Sequence, residues 1–263
     1  MRVRVRFAKR GKVRFTSHRD VARMWERALR RARLPVARTE GFHPRPKLSF
    51  GLALSTGHES LAEYLDIELA EPLEPAEIGS LAGRLTPELP AGVDALAAQP
   101  LAPGSRSLQE AVGSCSWEIE AWGLTRPEID ERLSRALAAE RLVVTRTRKG
   151  REVVDDLRPA VLAAAVVDTV PGGARLQAEL AVHPRSVRPG ELLGAIDPVL
   201  EEGRVRRTAQ WIWHDDAREE PLPLVDALGV PSPTPADAST TRRDHHHDRA
   251  RSRSAGVELA LDR

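Results

Sequence analysis

The residues best equipped for chemistry crowd into one stretch, residues 15–51. His18 carries an imidazole that could act as a general base. His43 or Lys47 could return a proton or steady a developing negative charge. By analogy of fold alone, such a set would serve a metal-independent RNA-processing endonuclease with His18 as general base. The same stretch also suits binding without catalysis. Arg23, Arg27, Arg30 and Arg31 offer guanidinium groups to phosphates. The backbone amides of residues 17–20 present a helix N-terminus to an anion, and Phe42 or Phe50 gives a face on which an unpaired base can stack. Ser17, Asp20 and Ser49 complete the candidate binding set. Each feature has a plainer explanation too: His18 beside Asp20 could make a structural hydrogen bond, Phe50 could fill a core, and the arginines could be a solvated helix face.

The element that must position these groups is a helix. Val21, Met24/Trp25, Ala28/Leu29 and Ala32 recur every three or four residues and give one apolar stripe. Ser17 is placed to cap it, and Asp20, three residues on, suits the positive end of the helix dipole. Leu34-Pro35 ends it, because a residue before proline leaves helical geometry. The opposite face carries Arg19, Arg23, Arg27 and Arg30/Arg31, offset only by Asp20 and Glu26. After the helix comes a proline-stiffened loop, Gly41-Phe42-His43-Pro44-Arg45-Pro46-Lys47.

Charge is distributed unevenly. Residues 1–50 hold sixteen basic and three acidic side chains, a net +13, so the rest of a chain whose formal charge is +2 carries −11. One end is built to meet anions. Part of the arginine excess reflects a GC-rich genome, since only four of the forty basic residues are lysine. Cys115 is the one cysteine, which rules out an internal disulfide, a thiolate zinc site and an iron–sulfur cluster of the chain's own. No resident cofactor or metal is expected. His245-His246-His247 reads as part of a polar tail rather than a metal site. With no apolar run of membrane-spanning length and no signal peptide, a cytoplasmic protein with no membrane partner is expected.

Read in order, residues 2–7 alternate as a strand with Val3, Val5 and Phe7 inward and three arginines outward. Residues 13–15 extend again, and 36–39 and 48–54 are short extended pieces. Residues 61–69 form a strand, 75–85 a helix and 93–98 a closing strand. That β–α–β–β–α–β order is the ferredoxin-like split unit. A linker at 100–104 leads to a second round: strand 117–122, a helix opened by the capping box Thr125-Arg126-Pro127-Glu128, strands at 142–147, 152–157, 161–170 and 174–182, helix 189–200 and strand 204–213. The expected fold class is α+β, two tandem ferredoxin-like (βαββαβ) units at 1–102 and 112–214, with a disordered C-terminal tail at 215–263.

Val5-Arg6-Phe7-Ala8-Lys9, Phe15-Thr16-Ser17-His18-Arg19-Asp20, Glu26-Arg27-Ala28-Leu29-Arg30-Arg31-Ala32 and Gly41-Phe42-His43-Pro44-Arg45-Pro46-Lys47-Leu48-Ser49-Phe50 together resemble the radical SAM-associated family, here in stand-alone form. Glu63-Tyr64-Leu65-Asp66 continues the match, and Asp156-Leu157-Arg158-Pro159 and Val187-Arg188-Pro189-Gly190-Glu191 extend it more weakly. The family is a domain of unknown function found beside, or fused to the end of, radical S-adenosylmethionine proteins. It usually shows leucine where Arg19 stands. The resemblance implies partnership with a radical SAM enzyme, often with RNA-metabolism neighbours, and supplies no settled activity. The expectation is therefore a non-catalytic partner of such an enzyme that binds RNA, tRNA or another phosphate-bearing ligand. An RNA endonuclease and a protein–protein scaffold meeting an acidic surface are the alternatives.

Overall fold

The computed structural model describes residues 1–148, 150–214 and 217–224. The chain enters as strand β1 (Arg2–Lys9), makes a 3-10 turn at Gly11–Phe15 where an extended piece was expected, and continues into helix α1 (His18–Arg31). Strands β2 (Leu48–Phe50) and β3 (Glu59–Glu68), helix α2 (Pro75–Leu85) and strand β4 (Val93–Leu101) complete the first half. The expected linker proline, Pro100, lies inside β4, paired in register with Val3. A four-residue helix α3 (Leu108–Ala111) leads into strand β5 (Val112–Trp122), helix α4 (Arg126–Ala138) and strands β6 (Val143–Arg148) and β7 (Arg151–Asp156). Strands β8 (Val161–Val170) and β9 (Gly173–Ala181), helix α5 (Pro189–Ile196), strand β10 (Glu201–His214) and strand β11 (Ala217–Glu219) follow.

The local signals act as their chemistry dictates. Ser17 Oγ accepts from the Asp20 amide at 3.2 Å and caps α1. The Thr125–Glu128 capping box opens α4 with Pro127 in its first turn. The apolar stripe of α1 puts Val21, Trp25 and Leu29 into a core shared with Val3, Val5 and Phe7 of β1, Leu65 and Ile67 of β3, and Ile78, Leu81 and Leu85 of α2. Phe7 meets Trp25 edge-to-face with centroids 5.0 Å apart. A second core joins Trp117 and Ile119 of β5 and Leu176 and Leu180 of β9 to Ile129 and Leu133 of α4 and Leu192 and Leu193 of α5.

The fold is α+β around one large mixed sheet. Nine strands belong to it, in the order β4-β1-β3-β10-β5-β9-β8, with β2 on β3 and β11 on β10. β6 and β7 form a separate two-stranded ribbon. All pairs are antiparallel except β3 with β10, where Glu59 and Ser60 face Arg206 and Arg207 in parallel. That seam joins the strands of the two halves into one continuous sheet. Residues 217–224 are described as well. β11 pairs with β10, and Glu220 and Leu222 are buried, so the expected boundary of the tail at 215 falls too early. Residues 225–263, with the rest of that tail and His245-His246-His247, lie outside the described residues. Among the described residues, no helix is long and apolar enough to cross a membrane.

Candidate nucleic-acid interface

The basic face of α1 runs toward the proline loop, and the two meet. Arg27 and Arg30 of α1, with Arg38 and Arg45 of the following segment, line one groove of about 230 Å³ together with Pro44 and Pro46; Glu26 is its one acid. The loop is held shut by its own backbone. Thr39 N–H donates to the Arg45 carbonyl at 2.9 Å, Lys47 N–H to the Ala37 carbonyl at 2.8 Å, and the Arg45 amide to Thr39 Oγ1 at 3.0 Å. Arg38 Nη1 donates to the Pro44 carbonyl at 3.2 Å. Gly41 turns the tip at φ +117°, a conformation that favours glycine. The turn leaves Phe42 fully exposed and His43 exposed beside it. Exposed aromatic carbon on the loop that carries Arg45 into the groove suits a ligand with both phosphates and flat bases.

The other predicted residues disperse. Arg31 donates to Glu88 Oε2 at 2.7 Å, and Arg23 lies 3.6 Å from Asp20. Asp20 is held below its usual carboxylate range, first by the Ser17 hydroxyl and then by the arginines around it. Lys47 is paired with Glu68 at 2.9 Å, which raises its ammonium pKa. Ser49 is exposed on β2. His18 stands edge-on to Phe50, centroids 5.1 Å apart, at a cavity of about 20 Å³ that Lys9 and Glu63 also line. That is room for about one water. None of Asp20, His43 and Lys47 lines this cavity. Lys9 donates to the carbonyls of Arg14 and Thr16 at 3.3 and 3.1 Å, and burial lowers its pKa.

Of the three arginines expected outward on β1, Arg2 is half-buried, and Arg4 and Arg6 are buried and committed. Arg4 makes a two-pronged pair with Asp66 at 2.7 and 2.9 Å, and Arg6 reaches Glu220 Oε2 at 2.6 Å and the Leu222 carbonyl at 3.1 Å. Across the seam, Arg207 Nε donates to Glu63 at 3.1 Å. The excess charge of the N-terminal stretch is thus partly neutralised internally, and α1 with its loop keeps the part that faces solvent. Sequence reading missed Arg38 and Arg45 as groove members. The two prolines flanking Arg45 were the available signal.

Glu59 is the hub of the seam. Its side chain is fully buried, with Arg204 at 3.0 Å through both nitrogens, Arg206 at 3.0 Å, the Gly11 amide at 2.8 Å and Arg14 at 3.6 Å. Burial alone would raise its pKa; the Arg204 hydrogen bonds, the Gly11 amide and Arg206 outweigh it and hold the carboxyl at about 2, against 4.5 when free. A depressed folded pKa contributes stability above the unfolded value and loses it as pH falls from about 4.5 toward 2. Glu59→Gln is therefore expected to lower the urea midpoint clearly at pH 7 and much less at pH 3. A midpoint difference that stays constant across that window would contradict the assignment.

A family described as "Uncharacterized protein conserved in bacteria (DUF2344)" matches residues 2–189, which include α1, the proline loop and the groove. No curated protein matches the chain.

Proposed function

The chain belongs to this family of uncharacterized bacterial proteins, and we propose that it is a non-catalytic binding module that holds a phosphate-bearing ligand, RNA or tRNA, for a radical SAM enzyme. The observation that carries the reading is the groove: Arg27, Arg30, Arg38 and Arg45 from two separate segments, opposed by Glu26 alone. Phe42 at its loop adds a stacking surface for an unpaired base. The radical SAM partner rests on the resemblance of residues 5–50 to the radical SAM-associated family. We read each half as a ferredoxin-like unit, because β4-β1-β3-β2 and β10-β5-β9-β8 run in the same relative order with all neighbours antiparallel.

The test is binding of a mixed single-stranded RNA at increasing salt, without added metal. Four phosphate contacts give a log–log slope near −2.8, roughly a fiftyfold loss of affinity between 50 and 200 mM salt. The RNA should be recovered intact. Cleavage that His18→Ala abolishes would replace this reading with the endonuclease. Binding that is absent, or flat with salt, would leave the groove to an acidic protein surface.

A further inference from the structure

The nine-stranded sheet ends on β8, which among the described residues pairs with β9 alone. Residues 162–167 of this edge read Leu-Ala-Ala-Ala-Val-Val, with no charge, proline or glycine. Leu162 is 49% and Val167 38% exposed, and Ala163 and Ala165 are exposed beside them. Proteins usually blunt a free edge with lysine, proline or a very short strand, because its outward N–H and C=O groups template further pairing. β8 is ten residues long and carries none of these. Its register breaks against β9 lie between Val161 and Ala163 and between Val166 and Asp168, so residues 163–166 remain regular. The edge at the other end of the sheet differs: β4 contains Pro100, and its Asp94 is paired with Arg10 at 2.7 Å.

We propose that the β8 edge is an interface between two copies of this chain, paired antiparallel about a two-fold axis so that the sheet continues from one copy into the other. The charge pattern selects a second copy as the occupant. An isologous contact must be complementary to itself. A two-fold at Ala164 sets that residue against its own copy, Ala163 against Ala165 and Leu162 against Val166, so every opposed pair is apolar. Asp168, the one charged side chain of β8, falls beyond this run and keeps its own Arg175 at 3.1 Å. Like charges directly opposite one another, the usual obstacle to self-pairing of an edge, do not arise. A strand edge buries less surface than a standard interface, so the dimer dissociates on dilution.

The experiment is sedimentation velocity on the full chain over a concentration series, with Ala165→Lys and Ala165→Glu prepared separately. Residue 165 is on the exposed side, and in the pairing it lies close to its counterpart. The unmodified chain is expected to show a concentration-dependent monomer–dimer equilibrium. Each variant alone should weaken it by about tenfold or more, and an equimolar mixture of the two should restore it. A chain that stays monomeric at every concentration overturns the proposal. So does a dimer that either variant leaves unchanged, or a mixture that fails to recover. Circular dichroism checks the fold; if Ala165→Lys does not fold, Ala163→Lys, equally on the exposed side, is read against Ala165→Glu in the same way.

Discussion

Ending the chain at residue 216 is expected to destabilise it by about 3–5 kcal/mol, the usual cost of stranding one member of a buried ion pair. Arg6 and Glu220 are both buried, 2.6 Å apart, and the same guanidinium group reaches the Leu222 carbonyl. Removing residues 217 onward takes away the carboxylate, the carbonyl and the buried Leu222 side chain, which packs in the core of the second half. At roughly 2–4 °C per kcal/mol for a domain of this size, the melting temperature should fall by about 6–20 °C. Arg6→Met in the shortened chain should recover part of the loss, because an apolar side chain needs no counter-charge. A fall of less than about 2 °C would mean that water replaces Glu220 around Arg6 at little cost. The recovery by Arg6→Met separates lost charge pairing from lost packing.

The same contact shows what the sequence could and could not reveal. α2 at residues 75–85 and the start of α4 were legible because their signals are local: a proline and a capping box within one helical turn. The Ser17 cap and the adjacent strands at 161–170 and 174–182, which pair as β8 and β9, are equally short-range. Arg4 and Arg6 were read outward because alternation on β1 puts charge opposite Val3, Val5 and Phe7. Their partners stand 62 and 214 residues away, where no periodicity points to them. β11 is three residues long and carries Arg218 and Glu219, so it has no apolar pattern to mark it. The parallel seam of β3 with β10 spans only two residue pairs and is fixed by Glu59, an acid that pattern reading leaves at the surface. The arginine row of α1 was visible from its spacing. Its junction with Arg38 and Arg45 depends on the loop folding back through Thr39, Arg45 and Lys47, a matter of hydrogen bonds from backbone amides of residues with no distinctive period.

That junction supports the second large effect. Replacing Arg27, Arg30, Arg38 and Arg45 together with glutamine is expected to weaken RNA binding by about a thousandfold at low salt, taking roughly 1 kcal/mol for each exposed guanidinium–phosphate contact. The salt slope should flatten by about 0.7 for each arginine removed, so that little salt dependence remains. Stability should change little, because the four side chains are exposed and Arg38 alone among them makes a hydrogen bond to a neighbouring carbonyl. Arg31→Gln is the matched control. Set against Arg30→Gln alone, it removes the same single charge from the same helix, but Arg31 is already engaged by Glu88. If the groove binds the phosphates, Arg31→Gln leaves affinity within about threefold of the unmodified chain, as expected for a charge that is already neutralised nearby. If every arginine on α1 matters equally, attraction is spread over the whole basic face and the groove has no special part in it. The comparison turns on position at constant charge, which a general excess of arginine cannot imitate.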